Sequence, residues 1–469
     1  MTSDAGSVLF RDVEVDGVRT DVMVDGGTVR ALAPGLVRPT GVEEVYGRAG
    51  ALLPGLHDHH VHLAALAAAM ASVHVGPPDV TSVEGLASAL TEADRALPPG
   101  AWLRAVGYHE SVAGPLDRDL LDRLLPSRPV RVLDRTGMRW TLNSAALSQV
   151  GADDAVHPGI GRDDRGRPTG PVDRGDDWLR EVAGATPPDL AAVGRRLAEL
   201  GVTGVTDCTP YRDVDGPGLL AAAVRSGALP QRVHVTGGPE LIGTGVPAPL
   251  HPGPVKIVLD DDRLPDLDQL VGTVRAAHAA GRAVAIHLVT AATLAYALAA
   301  WDAAGGSPAD RIEHGSVITP AAARQIARLG VTVVTQPGFV AERGDRYLVD
   351  VDADEVPHLY RCGSLLGLGI PVAGSSDAPY TDPDPWRAVQ AAVDRRTRSG
   401  EVLGPDERVP LERAIALFLG HPDDPGRRRR RIAAGEPADL CLLHRPLRGT
   451  ATAPTADDVR ATYRAGIPI

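Results

Sequence analysis

The chain has 469 residues, more than an ordinary compact domain holds, unless it is an α/β barrel, which can run past ~250 residues with insertions. Its 48 basic against 60 acidic residues leave a net charge of −12, which argues against nucleic acid or another polyanion as partner. Hydrophobic residues make up 43 % but aromatic ones only 3 %, so a large core has to be built from Ala, Val and Leu.

The first residues, Met-Thr-Ser-Asp-Ala-Gly, combine no basic start with an apolar stretch, and no apolar run reaches ~20 residues, so neither a leader nor a membrane span is expected. Cys208, Cys362 and Cys441 are odd in number and far apart, which suits reduced thiols and a cytoplasmic setting. Residues 8 to 33 alternate short β-type runs with Asp-Gly and Gly-Gly turns, the pattern of small antiparallel strands, and the stretch from Ala438 to Leu443 looks similar. The two ends, 1–53 and 430–469, are therefore expected to form one small β-sandwich domain.

Between them, over 54–429, apolar runs recur at 51–56, 202–207, 232–236, 254–259, 283–288, 310–314, 331–335 and 370–375, with helical stretches between most of them. Eight such runs predict an α/β fold of the (β/α)8 TIM-barrel type. The gap from about 75 to 195 is too long for one βα unit and holds Trp102, Trp140 and Trp178, so it reads as an insertion after the first strand, placed over the barrel mouth. The arginine run 427–431 is the one basic block and reads as a solvated loop.

Polar residues gather where those runs end. The first closes in His57-Asp58-His59-His60-Val61-His62; alternate residues of a strand face the same way, so His60 and His62 would both face the barrel axis and suit one cation. His57 and His59 share that spacing and are set aside. His287 closes the fifth run, His314 the sixth and Asp377 the eighth, on the side where barrel enzymes carry their catalytic groups. Lys256, in the fourth run, is the only lysine of the chain against 47 arginines. A buried amine can lose its proton and react with carbon dioxide, whereas a guanidinium stays charged. Taken singly, each residue reads as a hydrogen-bonded core group or a helix cap. Four histidines, one aspartate and the sole lysine together point to a divalent cation, zinc or another first-row metal. The other histidines, such as His157, His358 and His421, read as structural or exposed.

With these motifs in hand, the chain resembles the metal-dependent amidohydrolase superfamily over nearly its full length. The resemblance rests on Pro54-Gly55 leading to Asp58, His60 and His62, on Lys256, on His287, on Arg311-Ile312-Glu313-His314-Gly315, on Gly374-Ser375-Ser376-Asp377-Ala378-Pro379 and on Gly435-Glu436-Pro437-Ala438-Asp439-Leu440. Within it the chain is similar to the branch of N-substituted formamide deformylase and YtcJ-like proteins, through Trp102 to Ser111, Asn143 to Leu147, Gly166 to Gly170 and Asp384-Pro385-Trp386. It departs from that branch where Lys256 is followed by Ile-Val-Leu-Asp-Asp-Asp, and where Met138 stands in place of a histidine.

The resemblance implies a hydrolase cleaving a C–N bond of an amide or formamide. The metal ligands would be His60, His62, Lys256, His287, His314 and Asp377, with one or two ions; if two, a carboxylated Lys256 would bridge them. Asp377 would be the catalytic base. Tyr108, Glu110, Trp140, Asn143, Gln336 and Trp386 are the candidates for binding a small-molecule substrate. A homodimer is left open. Other chemistry on the same barrel (cyclic amide or ester hydrolysis, decarboxylation) and a silent metal-binding or regulatory protein remain alternatives.

Overall fold

The structure is a computed structural model that describes residues 6–184, 188–213, 215–450 and 452–469; the first five residues, read above for a leader, lie outside it. The chain forms two compact units, Met1–Leu63 with Leu190–Ile469, and Ala64–Asp189.

The larger unit contains a nearly closed barrel of eight parallel strands: β1 (Leu56–Val61), β2 (Val202–Asp207), β3 (Arg232–Gly237), β4 (His251–Val258), β5 (Val284–Leu288), β6 (Arg311–His314), β7 (Thr332–Thr335) and β8 (Val372–Gly374). All residues of β1, β2, β6, β7 and β8 are buried, as expected of parallel strands covered on both faces. The helices between them carry the signals that predict them. Thr319 caps Pro320–Leu329, with Pro in the first turn and Gly330 left-handed at its end. Thr290 and Thr293 form a capping box on Ala291–Ala304.

The first apolar run, 51–56, does not become one strand. Leu52–Pro54 pairs antiparallel with Leu440–Leu443 in a small sheet, and the barrel strand begins at Leu56. Pro54 offers no N–H to continue a ladder, and Gly55 is where the chain crosses from one sheet to the other. A β-carbon at Gly55 would lie 2.1 Å from Thr203 Cγ2 of the adjacent β2.

That small sheet, ordered Ile467–Pro468, Val459–Arg464, Leu440–Leu443 and Leu52–Pro54, packs on a second made of Thr28–Ala33, Val18–Asp25, Val8–Val15 and Glu43–Tyr46. Their shared core includes Phe10, Val22, Leu52, Leu442 and Tyr463, with the Phe10 and Tyr463 rings edge to face at 5.0 Å. This is the sandwich built from both ends of the chain. The arginine run is largely exposed, as expected, but part of it lies in the strand Asp424–Arg429 and is not a loop. Arg427 donates to the carbonyls of Pro308 and Gly330, and half-buried Arg430 to those of Gly420 and Phe418. Exposed backbone carbonyls at the ends of loops and helices need donors, and a guanidinium has five.

The unit Ala64–Asp189 has its own six-stranded sheet, ordered Ile160–Arg162, Pro168–Asp173, Arg139–Leu142, Val130–Asp134, Leu103–Tyr108 and Val73–His74, and two apolar cores. Among the described residues no helix is long and apolar enough to cross a membrane.

Gly55→Val should destabilise the larger unit by about 1–3 kcal/mol, because the added methyls have to displace Thr203 in a closed barrel wall. The denaturant midpoint measures it; an unchanged midpoint would mean the crossing has room to spare.

Candidate metal centre

The site is assembled at the seam between β1 and β8. The Asp377 N–H donates to the His60 carbonyl at 2.8 Å and the His62 N–H to the Ala378 carbonyl at 2.9 Å, so the loop after β8 is laced to the end of β1. Asp58 tightens the seam. Its buried carboxylate accepts from the Ser376 hydroxyl, from the Ser376 N–H at 3.0 Å and from the His60 N–H at 3.1 Å. Burial raises its pKa to about 6 against those opposing hydrogen bonds.

This lacing brings Asp377 between the two histidines. Its Oδ1 lies 3.4 Å from His60 Nε2 and 3.3 Å from His62 Nε2. The His314 ring stands 4.8 Å from that of His60 and 4.5 Å from that of His287, centroid to centroid. Ligand-type atoms of His60, His314 and Asp377 all lie within 4.8 Å of one another, close enough to share one ion. Asp377 and His314 also have left-handed backbone, φ +58° and +68°, a strained conformation for residues other than glycine that clusters at functional sites.

Hydrogen bonds set the ring tautomers. His60 Nδ1 is 2.5 Å from Glu313 Oε2, whose carboxylate is held by Arg311 and can only accept; the proton is therefore on Nδ1 and the lone pair on Nε2. His314 Nδ1 is 3.0 Å from Gln336 Oε1, while Gln336 Nε2 donates to Ser375 Oγ at 2.9 Å, so His314 likewise donates from Nδ1. Burial, and next the neighbouring Lys256, lower the His60 pKa well below 6.5 and that of His287 to about 3; burial and the neighbouring His287, His60 and Lys256 do the same to His314. All three rings are neutral at pH 7, the form that binds metal.

Among the buried atoms with no hydrogen-bond partner are His60 Nε2, Asp377 Oδ1 and Lys256 Nζ, together with both ring nitrogens of His59. Buried polar atoms are rarely left so, and a cation satisfies the first two at once. The residues fit a divalent metal. A second constellation, His60 with Cys208 and Glu313, has comparable spacing. There Glu313 is already paired through one oxygen with Arg311 and through the other with His60 Nδ1, so that set leaves a cation fewer free lone pairs.

The other candidates have partners of their own. Gln336 is fully buried behind His314. Trp386 is buried with its indole N–H on the Leu200 carbonyl at 3.1 Å. Tyr108, Glu110, Trp140 and Asn143 belong to the second unit. Asn143 caps the helix Ser144–Gln149 and also binds Val130, Leu125 and Arg128; Trp140 donates to Asp176; the Tyr108 hydroxyl donates to the Gly114 carbonyl; Glu110 is exposed. Asp58, Arg311 and Glu313 were missed as site residues. A signal existed, since Arg311 and Glu313 are two apart in a strand and share a face next to His314.

The model of the amidohydrolase family matches residues 49–469, and the chain belongs to that family of enzymes. The clustered histidine and carboxylate groups support a divalent-metal cofactor. Its relatives include the N-substituted formamide deformylase of Arthrobacter pascens, 27 % identical over 95 % of this chain and 92 % of that protein. They also include YtcJ of Bacillus subtilis, named as an amidohydrolase, 26 % identical over 86 % of this chain and 85 % of the relative. Among solved structures, a metal-dependent hydrolase of Pyrococcus horikoshii superposes with a TM-score of 0.75 over 95 % of this chain and 99 % of its own, at 19 % identity, and shares the fold.

A ligand that binds only the folded state stabilises it, by about 2.7 kcal/mol at a hundredfold excess over Kd, and so raises the melting temperature with its concentration. Chelator-stripped protein should therefore melt lower than protein given zinc back. Identical melting curves would count against a cation at this site.

Proposed function

We propose that the protein hydrolyses a C–N bond of an amide or N-substituted formamide with water activated at a divalent centre, zinc being the natural choice for this nitrogen-rich donor set. The observation that carries this reading is the convergence of His60 Nε2 and His62 Nε2 on Asp377 Oδ1, a buried oxygen that no protein donor satisfies. The relative from Arthrobacter pascens, whose name places its action on N-substituted formamides, supports the substrate class.

His60, His62 and Asp377 would hold one ion, and His287 and His314 a second. Lys256 Nζ, buried and without a hydrogen-bond partner, would as the neutral amine add carbon dioxide and release a proton, giving a carbamate whose single negative charge, shared by two oxygens, could help to hold the metal. A bound divalent cation supplies Lewis acidity toward the carbonyl and lowers the pKa of water toward ~7. Asp377 would take the proton from the attacking water and return it to the leaving nitrogen, as base and then acid. His60, His287 and His314 stay neutral, so they do not compete for that proton. The three free, buried cysteines fit a reducing compartment, the cytoplasm.

A panel of N-alkyl formamides and simple amides tests the reaction: amine and acid should appear in equal amounts. Asp377→Asn should lower turnover by about 10²–10⁴-fold while the fold is kept. A variant as fast as the parent removes Asp377 from the chemistry. Lys256→Arg should lower metal content per chain, and full occupancy in that variant would rule out the carbamate.

A further inference from the structure

Beneath the metal centre the barrel interior contains an ion pair that the mechanism above does not use. Arg311 and Glu313 are 2 % and 0 % exposed. Arg311 spends two donors on one oxygen, with Nε at 2.7 Å and Nη2 at 2.6 Å from Glu313 Oε1. The other oxygen, Oε2, meets His60 Nδ1 at 2.5 Å. The same Nη2 also donates to the carbonyl of His59, the residue before His60 in β1, at 3.0 Å. One guanidinium therefore fixes both the carboxylate facing the ring and the backbone that carries the ring. Strands β1 and β6 are not neighbours in the sheet, so this contact crosses the barrel.

We infer that Glu313, clamped by Arg311, is the positioning residue of His60: it holds the ring in the Nδ1–H tautomer and so commits Nε2 to the cation. The inference rests on the reading that a cation lies between His60 and Asp377. The physical reason is that an ionised carboxylate is an acceptor only, so the facing nitrogen has to carry the proton. It also increases the electron donation of the imidazole to a metal on its far side, and loss of such outer partners weakens metal binding by roughly 10–100-fold. His314 has a neutral amide, Gln336, in the corresponding place. The two rings are thus unequal donors, and His60 is the stronger.

Glu313→Gln is nearly isosteric and reverses the logic. If Arg311 keeps Oε1, the new amide presents N–H to His60 Nδ1, and the ring proton moves to Nε2, the atom that should bind the ion. Zinc dissociation constants from competition with a chromophoric chelator, zinc stoichiometry, and nitrogen-15 spectra of histidine-labelled, zinc-free protein test this. The zinc-free parent should show His60 as the Nδ1–H tautomer, a readout that needs no variant; the Nε2–H form there overturns the proposal. Glu313→Gln should weaken zinc about 10–100-fold at unchanged stoichiometry and switch the tautomer. Binding within twofold of the parent overturns the role of Glu313 and leaves the metal reading standing, whereas a parent that binds no zinc ends that reading itself. Cys208→Ser should bind zinc as the parent does. If it and Glu313→Gln each lose one equivalent, Glu313 is a ligand and the positioning role is wrong.

Discussion

The site depends on how the barrel closes. β1 and β8 do not form a regular ladder; they are joined by backbone bonds from Asp377 and His62 and by the Asp58 carboxylate on Ser376, residues separated by 318 positions in the chain. Apart from half-buried His62, the residues that make these bonds are buried, where a hydrogen bond left unmade costs about 1–3 kcal/mol, so the seam is strongly specified. Because Asp377 is the residue that makes the seam, its carboxylate cannot be elsewhere. Closure of the fold and placement of the acid are one event.

A site built this way carries a burden that an apolar core would not. Several imidazoles, a carboxylate and an amine are gathered with little access to water, and the rings respond by becoming neutral. Burial would be unfavourable for every one of these groups alone. It becomes favourable when lone pairs from neutral rings and the charge of Asp377 meet a cation. The left-handed backbone at His314 and Asp377 is a further cost accepted at the same place. The Arg311–Glu313 pair is a different matter: both carboxylate oxygens of Glu313 have partners within the protein, and the pair acts as a rigid floor from which the ring of His60 rises.

The rest of the chain serves to keep that arrangement stiff. Pro54 and Gly55 divide one apolar stretch between the terminal sandwich and β1, so both structures share a few residues of chain and little freedom lies between them. Arg427 and Arg430 use their guanidinium groups to tie off loop and helix carbonyls, although the run as a whole stays largely exposed.

Much could be read from the chain itself. Periodic apolar runs at βα spacing determine the barrel, turn residues near both ends determine the small sheets, and His60, His62, His287, His314, Asp377 and the lone Lys256 stand out because strand ends are where barrels gather polar groups. These signals are local, depending only on neighbours within a few residues. The split at Pro54, the roles of Asp58, Glu313 and Gln336, and the ring tautomers could not be read in that way. They depend on which atoms face one another across a closed barrel, between residues far apart in order, and local pattern carries no record of such distances. Sequence alone decided which groups would be present at the strand ends; only the tertiary structure decided which nitrogen of each ring bears a proton, because that is set by the partner on its other side.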